Sequence, residues 1–377
     1  MKIDNEKKYD FRDVLIKPKR SDLKSRSEVN LTRTIKFKHS GREWTGVPIM
    51  TSNMDTTGTF EMYQILSQHQ IITVFHKFYT VEDFDKFFSG SIILNPNYYS
   101  LCTGITEKDY DNVKKLINHL NPYFLTIDVA NGYNTQFIEF CKKVREDYPK
   151  LTIFAGNVAT GDMVQELIIS AKVDVVKCGI GSGSVCSTRL KTGVGVPQLS
   201  VCLECSEVAN GLNGQIISDG GCTLPGDISK AFGAGAHFVM LGGMLAGHDE
   251  SGGELLELPN GKRVKRFYGM SSEYAQNLHN GGMKKYRSSE GKIKQVPYRG
   301  PVNECILDIL GGIRSTGTYI GARRIKDFAK CTTFMLVNQQ VNPVFDEDKY
   351  SICNNIKKNS DENVIIKDAS NSTFFTN

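Results

Sequence analysis

The sequence predicts an α/β fold built around a parallel β-sheet. Short apolar runs alternate with amphipathic segments along most of the chain. Most of these runs are apolar without interruption, as is typical of parallel strands that helices cover. A repeated strand–helix order defines the α/β class, and 377 residues are enough for an α/β barrel of about 250 residues with insertions. We therefore expect the chemistry at the carboxyl ends of the strands.

Seven strands and three helical faces support this prediction. The strands are 47–52, 71–75, 124–129, 152–155, 173–177, 215–218 and 237–241. The helical faces consist of Val113, Leu116, Ile117 and Leu120, of Phe137, Cys141 and Val144, and of Met163, Leu167 and Ile168. Cys202 and Cys205 are interpreted as helix packing, because neither a second cysteine pair nor a well-spaced histidine pair completes a metal site.

Two segments flank the barrel region 46–343, and a third interrupts its strand–helix repeat. Residues 1–45 form a polar, basic arm, and its charge pattern alone is typical of a solvated segment. Residues 249–300 are polar and rich in Gly and Lys, which indicates an active-site lid or a binding loop. Residues 344–377 are rich in Asn, Lys and Asp, and we expect this tail to be weakly ordered.

Composition restricts the classes of function. The net charge of +5 helps to attract phosphate-bearing small molecules but is too small to indicate nucleic-acid binding. Ten cysteines in a chain of this length indicate reduced thiols rather than a disulfide scaffold. The N-terminus lacks the apolar stretch of a secretory signal, and no span reads as a membrane helix. These features predict a cytoplasmic protein with no membrane or nucleic-acid partner.

A glycine-rich stretch, 177–198, carries the strongest candidate for chemistry. It places Cys186 shortly after a predicted strand. Glycines let the backbone approach a ligand closely. A thiol displayed there can attack a bound molecule, and Thr188 is near enough in sequence to move protons. The glycine spacing does not match a dinucleotide fingerprint, since Ser184 or Cys186 stands at its last position. The alternative is that Cys186 is a small buried hydrophobe.

Polar and glycine residues follow most of the predicted strands. Asp219 precedes Gly220 and Gly221, and the next strand ends in Gly242-Gly243. Paired glycines expose backbone N–H groups that bind oxyanions, and the carboxylate of Asp219 suits hydrogen bonds to sugar hydroxyls. Tight turns without a binding role are the alternative interpretation.

Other polar residues give weaker signals. His76-Lys77 stands at a strand end and is a candidate to face a phosphate. By its spacing alone, Glu290 is more typical of a solvated charge. The seven histidines form no cluster along the sequence.

The cysteine loop, the Asp219-Gly-Gly turn and the Gly242-Gly243 turn together resemble the family of IMP dehydrogenases and GMP reductases. The further segments that match are Glu61-Met62, Asn53-Met-Asp55, Gly156-Asn-Val158 and Ile313-Arg-Ser-Thr316. The resemblance extends from about residue 10 to residue 343. It implies a (β/α)8 TIM barrel that forms a single catalytic domain. An inserted pair of regulatory domains is not expected, because the segment 89–106 is far too short to hold it.

Within the family, the chain resembles the reductase branch. The segments 268–275 and 286–291 follow the reductase pattern, and the flap arginine that activates water in the dehydrogenases is missing. The resemblance implies NADPH-dependent reductive deamination of GMP to IMP, with release of ammonia, by a homotetramer. It assigns Cys186 as the nucleophile that forms a thioimidate at purine C2, and Thr188 and Glu290 as the groups that move protons.

The resemblance also implies ligand contacts. For the substrate they are Ser184, Asp219, Gly220, Gly221, Gly242, Gly243, Gly269, Met270, Ser271, Arg287, Ser288, Ser289 and Gly291. For the cofactor they are Ser25 and Arg26 of a neighbouring subunit, Lys77, Asp128, Val129, Ala130, Ile180, Gly181, Met270, Tyr286, Arg287, Ser315, Thr316, Gly317 and Thr318. A monovalent cation such as K+ is implied at Gly181, Gly183, Cys186 and Arg189.

Two cationic side chains, Arg26 and Lys77, suit the additional phosphate of NADPH, so the arm is no longer interpreted as merely solvated. Two positions depart from the family's usual loop, since Ser182 replaces a proline and Ser187 a threonine. Proline fixes φ, so a looser cysteine loop and altered cation binding both stay open. Two other functions also stay open. They are an IMP dehydrogenase without regulatory domains and a catalytically weak nucleotide-binding or scaffold protein.

Overall fold

The computed structural model of the chain describes residues 3–89, 94–286 and 288–338. The strands in these ranges are β1 Val14–Ile16, β2 Arg33–Lys36, β3 Glu43–Gly46, β4 Ile49–Thr51, β5 Thr73–Val74, β6 Tyr99–Thr103, β7 Phe124–Asp128, β8 Thr152–Val158, β9 Val175–Cys178, β10 Gln215–Asp219, β11 Phe238–Leu241, β12 Leu255–Glu257, β13 Arg263–Tyr268, β14 Ile293–Pro297 and β15 Phe334–Leu336. The helices are α1 Phe60–Leu66, α2 Val81–Phe88, α3 Glu107–Leu120, α4 Thr135–Asp147, α5 Gly161–Ile169, α6 Thr188–Thr192, α7 Gln198–Gly211, α8 Pro225–Gly233, α9 Glu273–Asn280, α10 Val302–Ile320 and α11 Phe328–Cys331.

The strands β4 to β11 form one parallel sheet in the order β4-β11-β10-β9-β8-β7-β6-β5. A parallel bridge between Met50 and Ile72 joins the two edges of this sheet. At the same joint, the Ile72 amide donates to the Ile49 carbonyl at 3.2 Å. Since helices alternate with the strands, the fold is a (β/α)8 barrel, and the predicted fold class is confirmed.

The helices cover the barrel with the faces that their spacing predicts. Val113, Leu116 and Ile117 of α3 and Phe137, Cys141 and Val144 of α4 are buried in the layer between sheet and helices. Leu120 and Met163 pack at the edge of this layer and are only partly buried. Cys202 and Cys205 are buried within α7, which confirms that they are packing residues.

One barrel strand, β6, was missed because its sequence is not continuously apolar. Tyr99–Thr103 contains a serine, a cysteine and a threonine, yet all five residues are buried. The hydroxyls are tolerated because they find partners inside the barrel; Ser100 Oγ, for example, lies 2.9 Å from Thr126 Oγ1. A buried polar group that is hydrogen-bonded carries little penalty.

The N-terminal arm covers one end of the barrel. Its strands β2 and β3 pair as an antiparallel hairpin, and Phe37 and Trp44 are almost completely buried. They meet Phe124, Phe154 and Phe238 from three barrel strands in an aromatic cluster. Nearer the N-terminus, β1 of the arm pairs with β15. The arm therefore contributes several buried side chains to the core, although most of its described residues are exposed or only partly buried.

The segment 249–300, which we call the lid, has regular structure of its own. The strands β12, β13 and β14 form an antiparallel sheet, and α9 lies between β13 and β14 in sequence. The lid is inserted between β11 and α10. It therefore starts from the carboxyl end of a barrel strand.

Two predictions lie outside the described residues, namely the ligand contacts of Arg287 and the weak order of the tail 344–377. Among the helices that the structure does describe, none is both long and apolar enough to cross a membrane.

Candidate active site

The cysteine loop leaves β9 through glycines that no other residue could replace. Gly179 has φ +153°, and a Cβ there would lie 2.0 Å from the Asp219 carbonyl oxygen. Gly181 has φ +80°, and a Cβ there would lie 2.6 Å from Arg189 Cγ. Positive φ and close backbone approach both require glycine. These glycines bring the loop across the mouth of the barrel.

A cavity opens at the carboxyl ends of the barrel strands. It is lined by Ser52, Asn53, Met54, Asp128, Val129, Ala130, Asn157, Gly179, Ile180, Gly181, Ser182, Gly183, Val185, Cys186, Thr188, Asp219, Gly220, Gly269, Met270, Ser271, Glu290 and Gly291. Many of these residues were predicted as site residues. The lining comes from the ends of four barrel strands (β4, β7, β8 and β10), the cysteine loop and the lid. The cavity therefore lies where an α/β barrel places its chemistry.

Cys186 is partly exposed in this cavity, whereas several other cysteines are buried. Burial raises the pKa of the Cys202 thiol to about 12 and raises that of Cys178 well above its ordinary value. A buried thiol with a raised pKa is a poor nucleophile. Exposure in the cavity and position in the loop thus single out Cys186 for chemistry.

Cys186, Thr188 and Glu290 form a continuous chain of hydrogen bonds. The Cys186 thiol donates to Thr188 Oγ1 at 3.2 Å, and the Thr188 hydroxyl donates to Glu290 Oε2 at 2.7 Å. A hydroxyl both donates and accepts, so this arrangement can carry a proton between sulfur and carboxylate. The structure therefore brings together the three residues that were predicted to be catalytic.

Backbone hydrogen bonds hold the cysteine loop against the lid. Cys186 and Gly291 form an antiparallel bridge. On either side of it, the Ser187 amide donates to the Glu290 carbonyl and the Lys292 amide donates to the Val185 carbonyl, both at 2.8 Å. Glu290 is therefore positioned by main-chain pairing as well as by its side chain.

Lys177 is a site residue that the sequence analysis missed. Its side chain is buried, and its ammonium contacts Asp128 and lies 3.4 Å from Asp219 Oδ2. Asn157 Nδ2 donates to the same Asp219 oxygen at 2.8 Å. The available signal was a lysine inside an otherwise apolar strand, since a buried lysine requires a charged partner.

Mutual attraction keeps Lys177 and Asp128 ionised. Burial alone lowers the pKa of Lys177, but the carboxylates of Asp128 and Asp219 outweigh burial and raise it. Burial alone raises the pKa of Asp128, but Lys177 outweighs it and holds that pKa below its ordinary value. The cavity floor therefore carries fixed charges at neutral pH.

The glycine turn after β10 packs directly on the cysteine loop. Gly220 and Gly221 have φ +92° and +83°. The Ser182 hydroxyl donates to the Asp219 carbonyl at 3.1 Å, and the Gly221 amide donates to the Ser182 carbonyl at 3.0 Å. Two hydrogen bonds, one from its hydroxyl and one to its carbonyl, thus hold Ser182 at the position where the family usually has proline.

The glycine pair after β11 also faces the cysteine loop. A Cβ on Gly243 would lie 2.5 Å from Ser184 Oγ, and one on Gly242 would lie 3.0 Å from Ser52 Oγ. Both glycines therefore leave room for hydroxyl groups at the edge of the cavity. Ser184 and Gly243, which were predicted separately, are brought together.

Other predicted contacts lie elsewhere. Lys77 Nζ forms an ion pair with Asp109 Oδ2 at 2.9 Å, and the Tyr286 side chain is highly exposed. The predicted contacts 315–318 lie on α10, which packs against the turn Arg26–Glu28. Neither of these two segments lines the cavity. The predicted contacts Arg26 and 315–318 thus belong to two elements that pack on each other and do not line the cavity.

The predicted cation site consists mainly of backbone carbonyls. The Gly183 carbonyl accepts from the Cys186 amide at 3.0 Å, and the Arg189 carbonyl accepts from the Gly193 amide at 3.2 Å. The Arg189 guanidinium is occupied by Asp10 at 3.1 Å and by the Val196 carbonyl at 2.7 Å. Within the described parts of the chain, no cluster of His, Cys, Asp or Glu side chains suits a metal ion.

Two histidines that are far apart in sequence contact the same aromatic ring. The His76 and Phe78 ring centroids lie 5.8 Å apart, and the His279 ring stacks on Phe78 with centroids 3.7 Å apart. His279 Nε2 also lies 2.6 Å from Asp55 Oδ2. Burial lowers the pKa of His76 to about 4, so His76 is neutral rather than a cationic phosphate ligand.

Comparisons with known proteins agree with this geometry. The family model described as "IMP dehydrogenase / GMP reductase domain" matches residues 8–342. The chain is 54% identical over 347 residues to the GMP reductases of Salmonella newport (strain SL254) and Salmonella typhimurium (strain LT2). It is 54% identical over 346 residues to that of Vibrio atlanticus (strain LGP32). Each match covers 92% of this chain and 99% of the relative. The chain therefore belongs to the IMP dehydrogenase / GMP reductase family.

Proposed function

We propose that this chain is a GMP reductase that converts GMP and NADPH into IMP, ammonia and NADP+. The observation that carries the proposal is the hydrogen-bonded chain from Cys186 through Thr188 to Glu290 at the cavity. Relatives named GMP reductase that are 54% identical over 92% of this chain support it.

In the first step, the Cys186 sulfur bonds to purine C2 and the bond from C2 to the amino nitrogen breaks. The thiol proton passes to Thr188, whose own proton passes to Glu290, along hydrogen bonds of 3.2 and 2.7 Å. Glu290 then returns a proton to the amino group, which leaves as ammonia, because an amine departs readily only when protonated. A thioimidate on Cys186 remains, and sulfur suits this role because it both attacks and leaves.

NADPH, when bound, supplies the hydride that C2 accepts in the second step. The bond from C2 to sulfur then breaks, IMP departs, and the Cys186 thiolate takes a proton from water. Asn157 Oδ1 fits a ligand beside this centre, because it is buried and has no hydrogen-bond partner among the described residues, while Asn157 lines the cavity. An orphaned acceptor of this kind suits a ligand amide N–H.

The cofactor is proposed to reach the cavity from the side formed by Asp128, Val129, Ala130, Ile180 and Gly181. The Arg26–Glu28 turn packs on α10, the helix that carries 315–318, and neither segment lines this cavity. This arrangement suits contacts with the distal half of a cofactor held by a neighbouring subunit. We accordingly propose a homotetramer. A K+ ion at the carbonyls of Gly181, Gly183, Cys186 and Arg189 is also proposed, since carbonyl oxygens suit monovalent cations. The proposed location is cytoplasmic.

The test is turnover of GMP with NADPH, with chromatographic identification of IMP and ammonia. Cys186→Ala is expected to abolish turnover, whereas Cys331→Ala, a partly exposed cysteine outside the cavity lining, is the matched control. Mass spectrometry of protein incubated with GMP is expected to find a purine adduct on the Cys186 peptide. Glu290→Gln is expected to slow ammonia release by about 10²- to 10⁴-fold and to weaken GMP binding far less.

Three results would contradict the proposal. Full NADPH oxidation by Cys186→Ala would exclude the covalent mechanism. Production of XMP from IMP and NAD, without GMP turnover, would assign the chain to the dehydrogenase branch. Equal losses of GMP binding and ammonia release in Glu290→Gln would give Glu290 a binding role instead.

A further inference from the structure

Asp55 joins the barrel to the lid through a single oxygen atom. It follows β4 and is adjacent in sequence to Met54, which lines the cavity. Its Oδ2 accepts a hydrogen bond from the Tyr268 hydroxyl at 2.7 Å and lies 2.6 Å from His279 Nε2. Both of these partners belong to the lid.

The two partners lie at opposite ends of one lid segment. Tyr268 ends β13 and immediately precedes Gly269, Met270 and Ser271, all three of which line the cavity. His279 lies in the last turn of α9. One carboxylate oxygen therefore fixes both the start and the end of the segment 268–279.

This junction is desolvated and has a second contact. The side chains of Asp55 and His279 are only 10% and 17% exposed. The His279 ring stacks on Phe78 with centroids 3.7 Å apart and planes 5° apart. A charge-assisted hydrogen bond is stronger when water is excluded. The hydrogen bond between Asp55 and His279 is therefore stronger than an ion pair on the surface.

We propose that Asp55 is a positioning residue whose carboxylate latches the lid through Tyr268 and His279 and thereby sets the affinity for the purine nucleotide. This inference rests on the proposed function, because the latched segment carries Gly269, Met270 and Ser271. When the latch is intact, these residues are ordered before the nucleotide arrives. When it is broken, the nucleotide must order them, and its affinity falls.

The neighbouring histidine, His76, does not replace His279 as the hydrogen-bond partner of Asp55. His76 Nδ1 accepts a hydrogen bond from the Phe78 amide at 3.3 Å, and burial lowers the pKa of His76 to about 4. The ring is therefore neutral at physiological pH. His279 is the imidazole whose hydrogen bond reaches Asp55 directly.

The test compares steady-state kinetics of Asp55→Ala, Asp55→Asn, Tyr268→Phe and His279→Asn. Asp55→Ala is expected to raise the KM for GMP at least about tenfold, as loss of a hydrogen bond to a charged group implies, with kcat changed by less than about threefold. Asp55→Asn keeps an acceptor oxygen and is expected to restore part of the affinity. The matched control is Asp85→Asn, because Asp85 forms a similar 2.6 Å contact with His119 on the exposed surface.

Hydrogen exchange of the peptides that cover 268–279 gives a readout independent of activity. Faster exchange is expected in Asp55→Ala and His279→Asn without nucleotide, and no change in Asp85→Asn. An unchanged KM, additive effects in Asp55→Ala/His279→Asn, or unchanged exchange would each overturn the latch. If Asp55→Ala does not fold, Tyr268→Phe and His279→Asn decide the same question from the lid side. A wild-type protein that does not reduce GMP would refute the proposed function, whereas the exchange result would still test the latch.

Discussion

At the scale of single residues, the Lys177 ammonium orients two carboxylates that line the cavity. Asp128 and Asp219 both contact it, and the first belongs to the proposed cofactor side and the second to the proposed substrate side. Neutralising one buried partner leaves the others without compensation, which is far costlier than losing a surface ion pair. The proposed substrate contact and the proposed cofactor contact therefore share one cation.

Lys177→Met is expected to weaken binding of both GMP and NADPH and to destabilise the fold by about 3–5 kcal/mol. The folded pKa of Asp128 is lowered, so its stabilisation is present above its unfolded pKa and is lost as pH falls through the folded value. The folded pKa of Lys177 is raised, so its stabilisation is present below its unfolded pKa and is lost as pH rises through the folded value. The pair therefore stabilises the neutral range.

Thermal unfolding and the KM for each ligand check this prediction, with Lys36→Met as the control because Lys36 is an exposed strand lysine. Loss of affinity for one ligand alone would show that Lys177 serves only one of the two carboxylates.

The residues that sequence could predict are those within one local motif. Cys186 and Thr188 are two positions apart in a glycine-rich loop, so local spacing was sufficient. Glu290 meets Thr188 across 102 residues, and only the family resemblance linked them. Lys177 has partners on two other strands, and their convergence depends on barrel closure, which local spacing does not encode.

At the scale of elements, the β2–β3 hairpin closes the amino-terminal end of the barrel with aromatic side chains. Trp44 lies 5.2 Å from Phe238 between ring centroids, and its indole N–H donates to the Asn97 carbonyl at 2.8 Å. Alternating burial along β3 is the pattern of a strand with one buried face. The arm was interpreted from its many basic residues, so this alternation of buried and exposed side chains was not recognised in the sequence.

Trp44→Ala is expected to destabilise the protein by about 3–5 kcal/mol, since it leaves a large cavity in a close-packed cluster. Thermal or urea unfolding measures the loss. Thr45→Ala, on the exposed face of the same strand, is expected to change stability by less than about 1 kcal/mol. Similar losses of stability in the two variants would mean that burial of Trp44 in the aromatic cluster does not stabilise the protein.

Two of the lid strands, β12 and β14, could not be predicted from hydrophobic periodicity. The burial patterns of β12 and β14 are mostly exposed, so hydrophobic periodicity is absent there. Antiparallel pairing with β13 provides the stability that burial does not. By contrast, most barrel strands are buried throughout, and a continuous apolar run predicted them.

At the scale of the whole molecule, buried neutral histidines make the fold sensitive to acid. Burial lowers the pKa of His76 and His248 to about 4 and that of His237 to about 3. An unfolded chain takes up these protons near its ordinary value of 6.5, well before the folded chain does. Stability therefore falls as pH falls from about 6.5 towards about 4.

Each buried histidine is expected to cost up to about 3 kcal/mol over this range. Denaturation midpoints measured between pH 7 and about pH 4.5 check the prediction. His237→Gln is expected to flatten this dependence of stability on pH. A midpoint that does not vary with pH in the wild-type protein would contradict it.

The antiparallel pairing of Cys186 with Gly291 fixes the register of Glu290, the proposed proton donor, against the cysteine loop. Gly269 extends the pairing, since its amide donates to the Lys292 carbonyl at 3.1 Å. Side chains alternate between the two faces of an extended strand. Deleting or inserting one residue between Glu290 and Ile293 would therefore leave the composition of the lid nearly intact but turn the acid away from Thr188. Changes of lid length in this stretch are consequently constrained more tightly than changes of side chain.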